Sequence, residues 1–158
     1  MRFGISGHPI PAGLPYATEI TTACAAENVP PCLLYALAWR ESIQGEVNGS
    51  WNAATVVSAD GGHGLFQLTS SYPSNWADPT HNAAYAIADF VSPTIDYWNG
   101  IHKFTGETLV LLVAATFNEG LGAAIRYHAE GDVDAGTTNE YGHGVLAIYR
   151  TLISGQKP

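Results

Sequence analysis

Glu41 is the residue whose chemistry stands out first. It follows the apolar run Pro30-Pro31-Cys32-Leu33-Leu34-Tyr35-Ala36-Leu37-Ala38-Trp39, and nothing in that run before Arg40 seeks water. As a helix the run is apolar almost all round, so it must be buried. A carboxyl carried at the end of a buried helix is desolvated, and desolvation raises its pKa. A carboxylic acid that keeps its proton near neutral pH is what general acid catalysis requires. The same Glu could instead pair with Arg40 or face water, and this stretch alone leaves those readings open.

Three further stretches hold polar groups in tight surroundings. They are Ser58-Ala59-Asp60-Gly61-Gly62-His63-Gly64-Leu65-Phe66-Gln67, Ala114-Ala115-Thr116-Phe117-Asn118-Glu119-Gly120 and Tyr141-Gly142-His143-Gly144-Val145-Leu146. Asp60-Gly61-Gly62 is turn chemistry in its own right. The six histidines, His8, His63, His81, His102, His128 and His143, are dispersed. No metal-ligand spacing is visible, and neither a metal nor a cofactor is expected. Cys24 and Cys32 flank the junction between two expected helices; a short-loop disulfide and two buried free thiols are both compatible with the spacing.

These groups must be positioned by helices. The spacing predicts a short helix over Thr18 to Glu27, stopped by Asn28-Val29-Pro30. The buried helix opens at Pro30-Pro31 and runs to about Gln44. Residues 45–50 read as a loop, Trp51 to Val57 as a short strand or extended piece, and Gly64 to Leu68 as the start of a short helix. A helix is expected from about His81 to Trp98, with the apolar stripe Ala84, Ile87, Ala88, Val91, Ile95 and Trp98 and a kink or split at Pro93. Glu107 to Phe117 holds a second strongly apolar run that by periodicity alone could be a buried strand; its Leu and Ala content and the lack of strand partners favour a helix, ended by Gly120. Leu121 to Glu130 and the amphipathic Glu140 to Ile153 complete an all-α domain. Six to eight helices should pack around one or two very apolar ones. Residues 1–158 read as one domain, with 1–15 as an irregular N-terminal segment.

Composition narrows the partners. The 158 residues are 46% hydrophobic and only 13% charged, with 17 Gly and 9 Pro, which describes a globular chain rich in turns. Net charge is −8, and the six Lys and Arg are scattered, so capture of nucleic acid or of an anionic membrane is disfavoured. The apolar run Leu109 to Phe117, like Pro30 to Trp39, is about half a membrane-spanning length, and no membrane insertion is expected. The N-terminus lacks the roughly 7–15-residue apolar core of a secretory signal. The chain is expected to be monomeric and made in a cytoplasm.

In order, the four stretches resemble the soluble lytic transglycosylase family, the peptidoglycan-cleaving branch of the lysozyme-like superfamily. That family has a Glu-Ser pair ending a buried helix, a turn of the type Ser-Pro-x-Gly-x-x-Gly-Leu-Met-Gln, an Ala-Ala-Tyr-Asn-Ala-Gly segment and a late Tyr-Val helix. The resemblance covers roughly residues 30–150. It implies a lysozyme-like fold with a cleft at Glu41, where that residue is the single acid/base. The bond cut would be the β-1,4 link between N-acetylmuramic acid and N-acetylglucosamine, leaving a 1,6-anhydro end. It implies Ser58, Gln67, Phe66, Asn118, Phe117 and Tyr141 as substrate-binding residues, with the Tyr141 hydroxyl aimed at Glu41. The partner implied is the peptidoglycan glycan strand. A phage endolysin or virion-associated lysin, reaching the wall from the host cytoplasm or the virion, is the setting this suggests.

The departures from the pattern set the alternatives. Phe117 replaces Tyr and has no hydroxyl, which leans towards a catalytically silent glycan-binding or virion module. Glu119 replaces Ala and is expected to face solvent. Residues 43–50 look like an inserted acidic loop over the cleft. Goose-type lysozymes, relatives of the family, hold a hydrolytic water with Asp residues before the Gly-Leu-x-Gln turn. Asp60 lies close to that placement, and Glu46 on the loop is a second candidate; either would make the enzyme an inverting hydrolase. Trp51, Trp76, Tyr72 and Tyr85 could stack on sugar rings, whereas Trp98 reads as core.

Overall fold

The structure is a computed structural model that describes residues 2–158. It is all-α. Six helices carry it: α1 (Ala17–Glu27), α2 (Pro31–Ala38), α3 (Pro79–Ala86), α4 (Gly106–Glu119), α5 (Leu121–Ala129) and α6 (Tyr141–Ile153). Among the described residues there is no strand, only isolated bridges of His63 with Val57 and with Leu68. No helix of the described residues is long and apolar enough to cross a membrane.

α1 stops at Asn28, which turns left-handed and returns its N–H to the Cys24 carbonyl. Pro31 then opens α2 at a position that has no donor to lose. Every side chain from Cys32 to Ala38 is buried, as an all-round apolar helix requires. Each buried Leu here stabilises the fold by roughly 1.5–3 kcal/mol, so packing holds α2 in place more than propensity does. Cys24 and Cys32 are both buried free thiols.

α2 does not end near Gln44. It continues through a π-helical turn (Trp39–Ile43), closed by Gln44 N–H on the Trp39 carbonyl, into a last α turn (Gln44–Val47). Residues 43–47 are therefore helix and form no loop over the cleft. Gly45 allows this: a Cβ there would lie 2.1 Å from the Trp51 ring, which lies against the helix and donates Nε1–H to the Ser42 carbonyl at 2.9 Å. Glu46 is committed to the scaffold, accepting from the Tyr16 hydroxyl at 2.6 Å and the Ala53 amide at 2.8 Å. It is not available to hold a water in the cleft.

Residues 51–78 hold no strand and no helix. The expected strand over Trp51 to Val57 is a set of turns, because only Val57 finds a bridge partner. The expected short helix at Gly64 to Leu68 is also turns. His63 and Leu68 exchange backbone bonds at 3.0 and 3.2 Å and close the segment on itself, and Gln67 sits at φ +48°.

Pro93 does not end its helix, which passes through it as alternating α and π segments. α3 runs on through a π segment (Ile87–Val91), a short α stretch (Ser92–Ile95) and a second π segment (Asp96–Ile101). The Ser92 amide bonds five residues back to Ile87, and this wider register accommodates the proline ring. The two π segments also rephase the buried stripe. Ala83, Ala86, Ile87, Val91, Ile95 and Trp98 are buried, while Ala84 and Ala88 are exposed, contrary to the expected stripe. Trp98 is core and donates to Thr116 Oγ1 at 2.9 Å, tying this helix to α4. α4 packs most extensively on α6, and α2 also packs on α6.

Candidate functional site

Glu41 stands in the π-helical turn, half-buried, with Ser42 and Ile43 beside it turned fully into the core. Its Oε1 accepts a hydrogen bond from the Tyr141 hydroxyl. Arg40 is not its partner: that guanidinium donates to the Asn139 carbonyl at 3.3 Å and lies 5.7 Å above the Tyr141 ring. Burial pushes the Glu41 carboxyl up to about 7, against the downward pull of the Tyr141 hydrogen bond and the Arg40 charge; the charge of Asp60 adds to the rise.

Tyr141 is held where it is by a residue the sequence reading did not single out. The 3₁₀ turn Val133–Gly136 carries Asp134, which is 5% exposed. Its carboxylate accepts from the Gly142 amide at 2.7 Å, the His143 amide at 2.8 Å, His143 Nδ1 at 2.6 Å and the Thr137 hydroxyl at 2.5 Å. Thr137 in turn accepts from the Tyr141 amide at 3.0 Å. Asp134 thus satisfies the orphan donors at the start of α6, where negative charge is also favoured by the helix dipole. Burial pushes its carboxyl up, but the Thr137, His143 and Gly142 hydrogen bonds outweigh that and hold it below the usual carboxylate range. The signal in the sequence was an Asp-x-x-Thr just ahead of a helix, eight residues from the amide it caps and too distant for a standard capping pattern.

A second unforeseen residue holds the opposite wall. Asn82 of α3 is fully buried. It accepts from the Phe66 amide at 2.9 Å and donates to the carbonyls of His63 at 3.1 Å and Trp76 at 3.0 Å. Ser42 Oγ donates to the Leu65 carbonyl at 2.7 Å. The Gly64 to Leu68 turn is therefore fixed between the helix of Glu41 and α3. Asn82 was legible only as one polar residue among the alanines of a buried stripe.

In the turn just before it, Ser58 Oγ bonds the Asp60 carboxylate and accepts from the Gly62 amide at 3.0 Å. The Ser58 hydrogen bond, helped by the Gly62 amide, holds the exposed Asp60 carboxyl below its usual range. Gln67 donates Nε2–H to the Gly64 carbonyl at 2.8 Å. Gly62 is glycine for lack of room: a Cβ would lie 2.6 Å from Gln67 Oε1 and 2.7 Å from Ser58 Oγ. Across the groove, Asn118 is exposed and accepts from the Thr138 amide at 3.0 Å.

The structure brings Glu41, Ser58, Asp60, Gln67, Phe117 and Asn118, with Thr69, around one cavity of about 280 Å³. Gln67, Thr69, Phe117 and Asn118 also line a neighbouring cavity of about 310 Å³ that reaches Phe90 and Glu119. Phe90 and Phe117 continue into a third, apolar one of about 250 Å³ with Pro93 and Leu121. The three form a continuous groove. Phe66 is not on its surface: it is fully buried below, with its ring edge-on to Phe117 at 6.4 Å, so it shapes the floor without being available to a ligand. Glu119 does not face solvent. Both carboxyl oxygens are buried without a hydrogen-bond partner beside Gly136 and Tyr127, and burial, followed by the charge of Asp134, pushes its pKa up. Trp51 packs on Gly45, and Tyr72 stacks on His63 at 3.9 Å. Among the described residues no group of three or more His, Cys, Asp or Glu could hold a metal ion.

No protein-family model matches this sequence, and no characterised protein matches it either. What the site can do rests on its own geometry. One carboxyl is raised towards neutrality and a second is held anionic at the same cavity, a pairing that separates an acid from a base.

Proposed function

We propose that this protein cuts the glycan strand of peptidoglycan at the β-1,4 bond between N-acetylmuramic acid and N-acetylglucosamine, as a lytic transglycosylase of lysozyme-like fold. The observation that carries the reading is the Glu41 carboxyl, raised to about 7 at one end of a groove lined by amide, hydroxyl and aromatic side chains. Glu41 gives its proton to the glycosidic oxygen as the bond to the anomeric carbon breaks. The ionised Glu41 then takes the proton of the muramoyl C6 hydroxyl as that oxygen closes on the anomeric carbon. The product is a 1,6-anhydro end and Glu41 is reprotonated, so one carboxyl suffices where most glycosidases use two. Tyr141 steadies the carboxylate between the two steps. Gln67 and Asn118 offer amides to the sugar acetamido and hydroxyl groups.

A second reading has its own observation. Asp60 lines the same cavity as Glu41 and is held anionic by Ser58 and Gly62. An anion in that place can hold a water for attack on the anomeric carbon, which makes the same cut by hydrolysis. Mass spectrometry of the released fragments separates the two readings. Anhydro ends, lighter by one water, support the transglycosylase, and reducing ends support the hydrolase. Turbidity loss of purified peptidoglycan that persists in Glu41→Gln rejects Glu41 as the acid. No cleavage by the wild type favours the silent glycan-binding module to which Phe117 points.

A further inference from the structure

Charge is distributed along the groove with one sign only. The exposed carboxylates Asp60 and Asp89 lie at its two ends, while the Glu119 carboxyl between them is turned inward, away from the groove. No Lys, Arg or His lines any of the three cavities. The charges of Arg40 and Arg126 reach Glu41 and Glu119 from outside the groove, but neither side chain lines a cavity. Arg40 bonds the Asn139 carbonyl and covers Tyr141, Arg126 lies over the Tyr127 ring at 4.6 Å, and Arg150 forms a two-pronged pair with Glu107. The whole chain carries a net charge of −8. The remaining polar lining is neutral, from Gln67, Thr69 and Asn118, and suits hydroxyl and acetamido groups. Peptidoglycan differs in just this respect: the carboxylates of its stem peptides are free in some walls and amidated in others. Like charges brought together without a compensating cation discriminate against the charged ligand.

We infer that the groove is built for glycan strands whose stem peptides lack free carboxylates, and that it favours amidated peptidoglycan over the free-acid polymer. The inference rests on the glycan-cleaving reading above. A stem carboxylate about 8 Å from a groove carboxylate across water weakens binding roughly 2.5-fold, so two such pairs together give about a sixfold preference.

The test uses one peptidoglycan in two forms, native free acid and the same material amidated chemically, with fragment release measured at low and high salt. At roughly 0.01 M ionic strength the screening length is about 30 Å, and at 1 M it is about 3 Å. The amidated form should be cut about sixfold faster at low salt, with the two rates converging at high salt. Thr69→Lys, which places a cation in the groove, should narrow the low-salt gap to about twofold by raising the rate on the free-acid polymer. Equal low-salt rates, or a faster free-acid polymer, overturn the inference while leaving the cleavage reading intact. If neither polymer is cut, the cleavage reading fails, and co-sedimentation of the protein with each polymer decides the charge preference. More protein pelleting with the amidated form at low salt upholds it, and equal pelleting rejects it.

Discussion

The Tyr141 hydroxyl donates to Glu41 Oε1 across 100 residues of chain, joining the first turn of α6 to the π-helical turn that extends α2. This bond opposes the effect of burial, which raises the carboxyl, because a hydrogen bond to the charged form favours ionisation. Tyr141→Phe should therefore raise the Glu41 pKa above about 7. The alkaline limb of the pH–rate profile should move to higher pH, and the maximal rate should fall about tenfold or more through loss of the donor that steadies the carboxylate. A limb that stays in place would mean that another group sets it.

Glu41 also ties stability to pH. Its carboxyl titrates near 7 when folded against about 4.5 when free. Between those values the folded chain keeps a proton that the unfolded chain releases, so Glu41 favours folding at low pH, and that advantage disappears as pH rises through about 7. Above that point an ionised Glu41 costs the fold on the order of 3 kcal/mol. Glu41→Gln should abolish activity yet raise Tm at about pH 8 by roughly 6–10 °C, with little gain at about pH 4. Thermal unfolding of the two proteins at the two pH values measures this directly.

Asp134 should be a stability residue with an effect on activity that passes through Tyr141. Asp134→Ala strips acceptors from the Gly142 and His143 amides and the Thr137 hydroxyl, and should cost about 2–4 kcal/mol by urea denaturation. The folded pKa of this carboxyl is depressed, so its contribution is present at neutral pH and is lost as pH falls through the folded value. The difference between wild type and variant should accordingly shrink in acid.

Gly62→Ala tests the turn rather than the core. The new methyl would meet Gln67 Oε1 and Ser58 Oγ, the ends of two side chains that can move, so the fold should lose less than about 1.5 kcal/mol. Because those ends line the cavity of Glu41, the fall in activity should exceed what the stability change explains, by about tenfold in kcat/KM. A loss of Tm without a further loss of activity would remove Ser58 and Gln67 from the site.

The all-α class was legible because its signals are local. Pro31 opening a run with no polar face, Asn28 and Gly120 as stops, the Leu and Ala content of α4 and the amphipathic spacing of α6 each act within a few turns of chain. A buried acid at Glu41 was legible for the same reason: the run before it can only be interior. Where local patterning failed, non-local contacts had won. The Gly64 to Leu68 segment carries a helix-like pattern, yet Asn82 and Ser42 take the Phe66 amide and the Leu65 carbonyl and hold it as turns. Residues 43–47 look like a loop because of Gly45 and Glu46, but Trp51 covers the glycine and Tyr16 and Ala53 engage the carboxylate, so the helix continues.

The sequence by itself determined that this chain is helical, that it buries the helix leading to Glu41, and that its few cations cannot make a basic surface. Tertiary structure alone decided which polar groups meet. It placed the Asp134 cap under Tyr141, the Asp60 anion at the cavity of Glu41, Glu119 inward and Phe66 below the floor. Hydrophobic periodicity records which face of an element leaves water, within that element. The partner of a buried hydrogen-bonding group is chosen by the packing of elements far apart in the chain, and no spacing in the sequence encodes it.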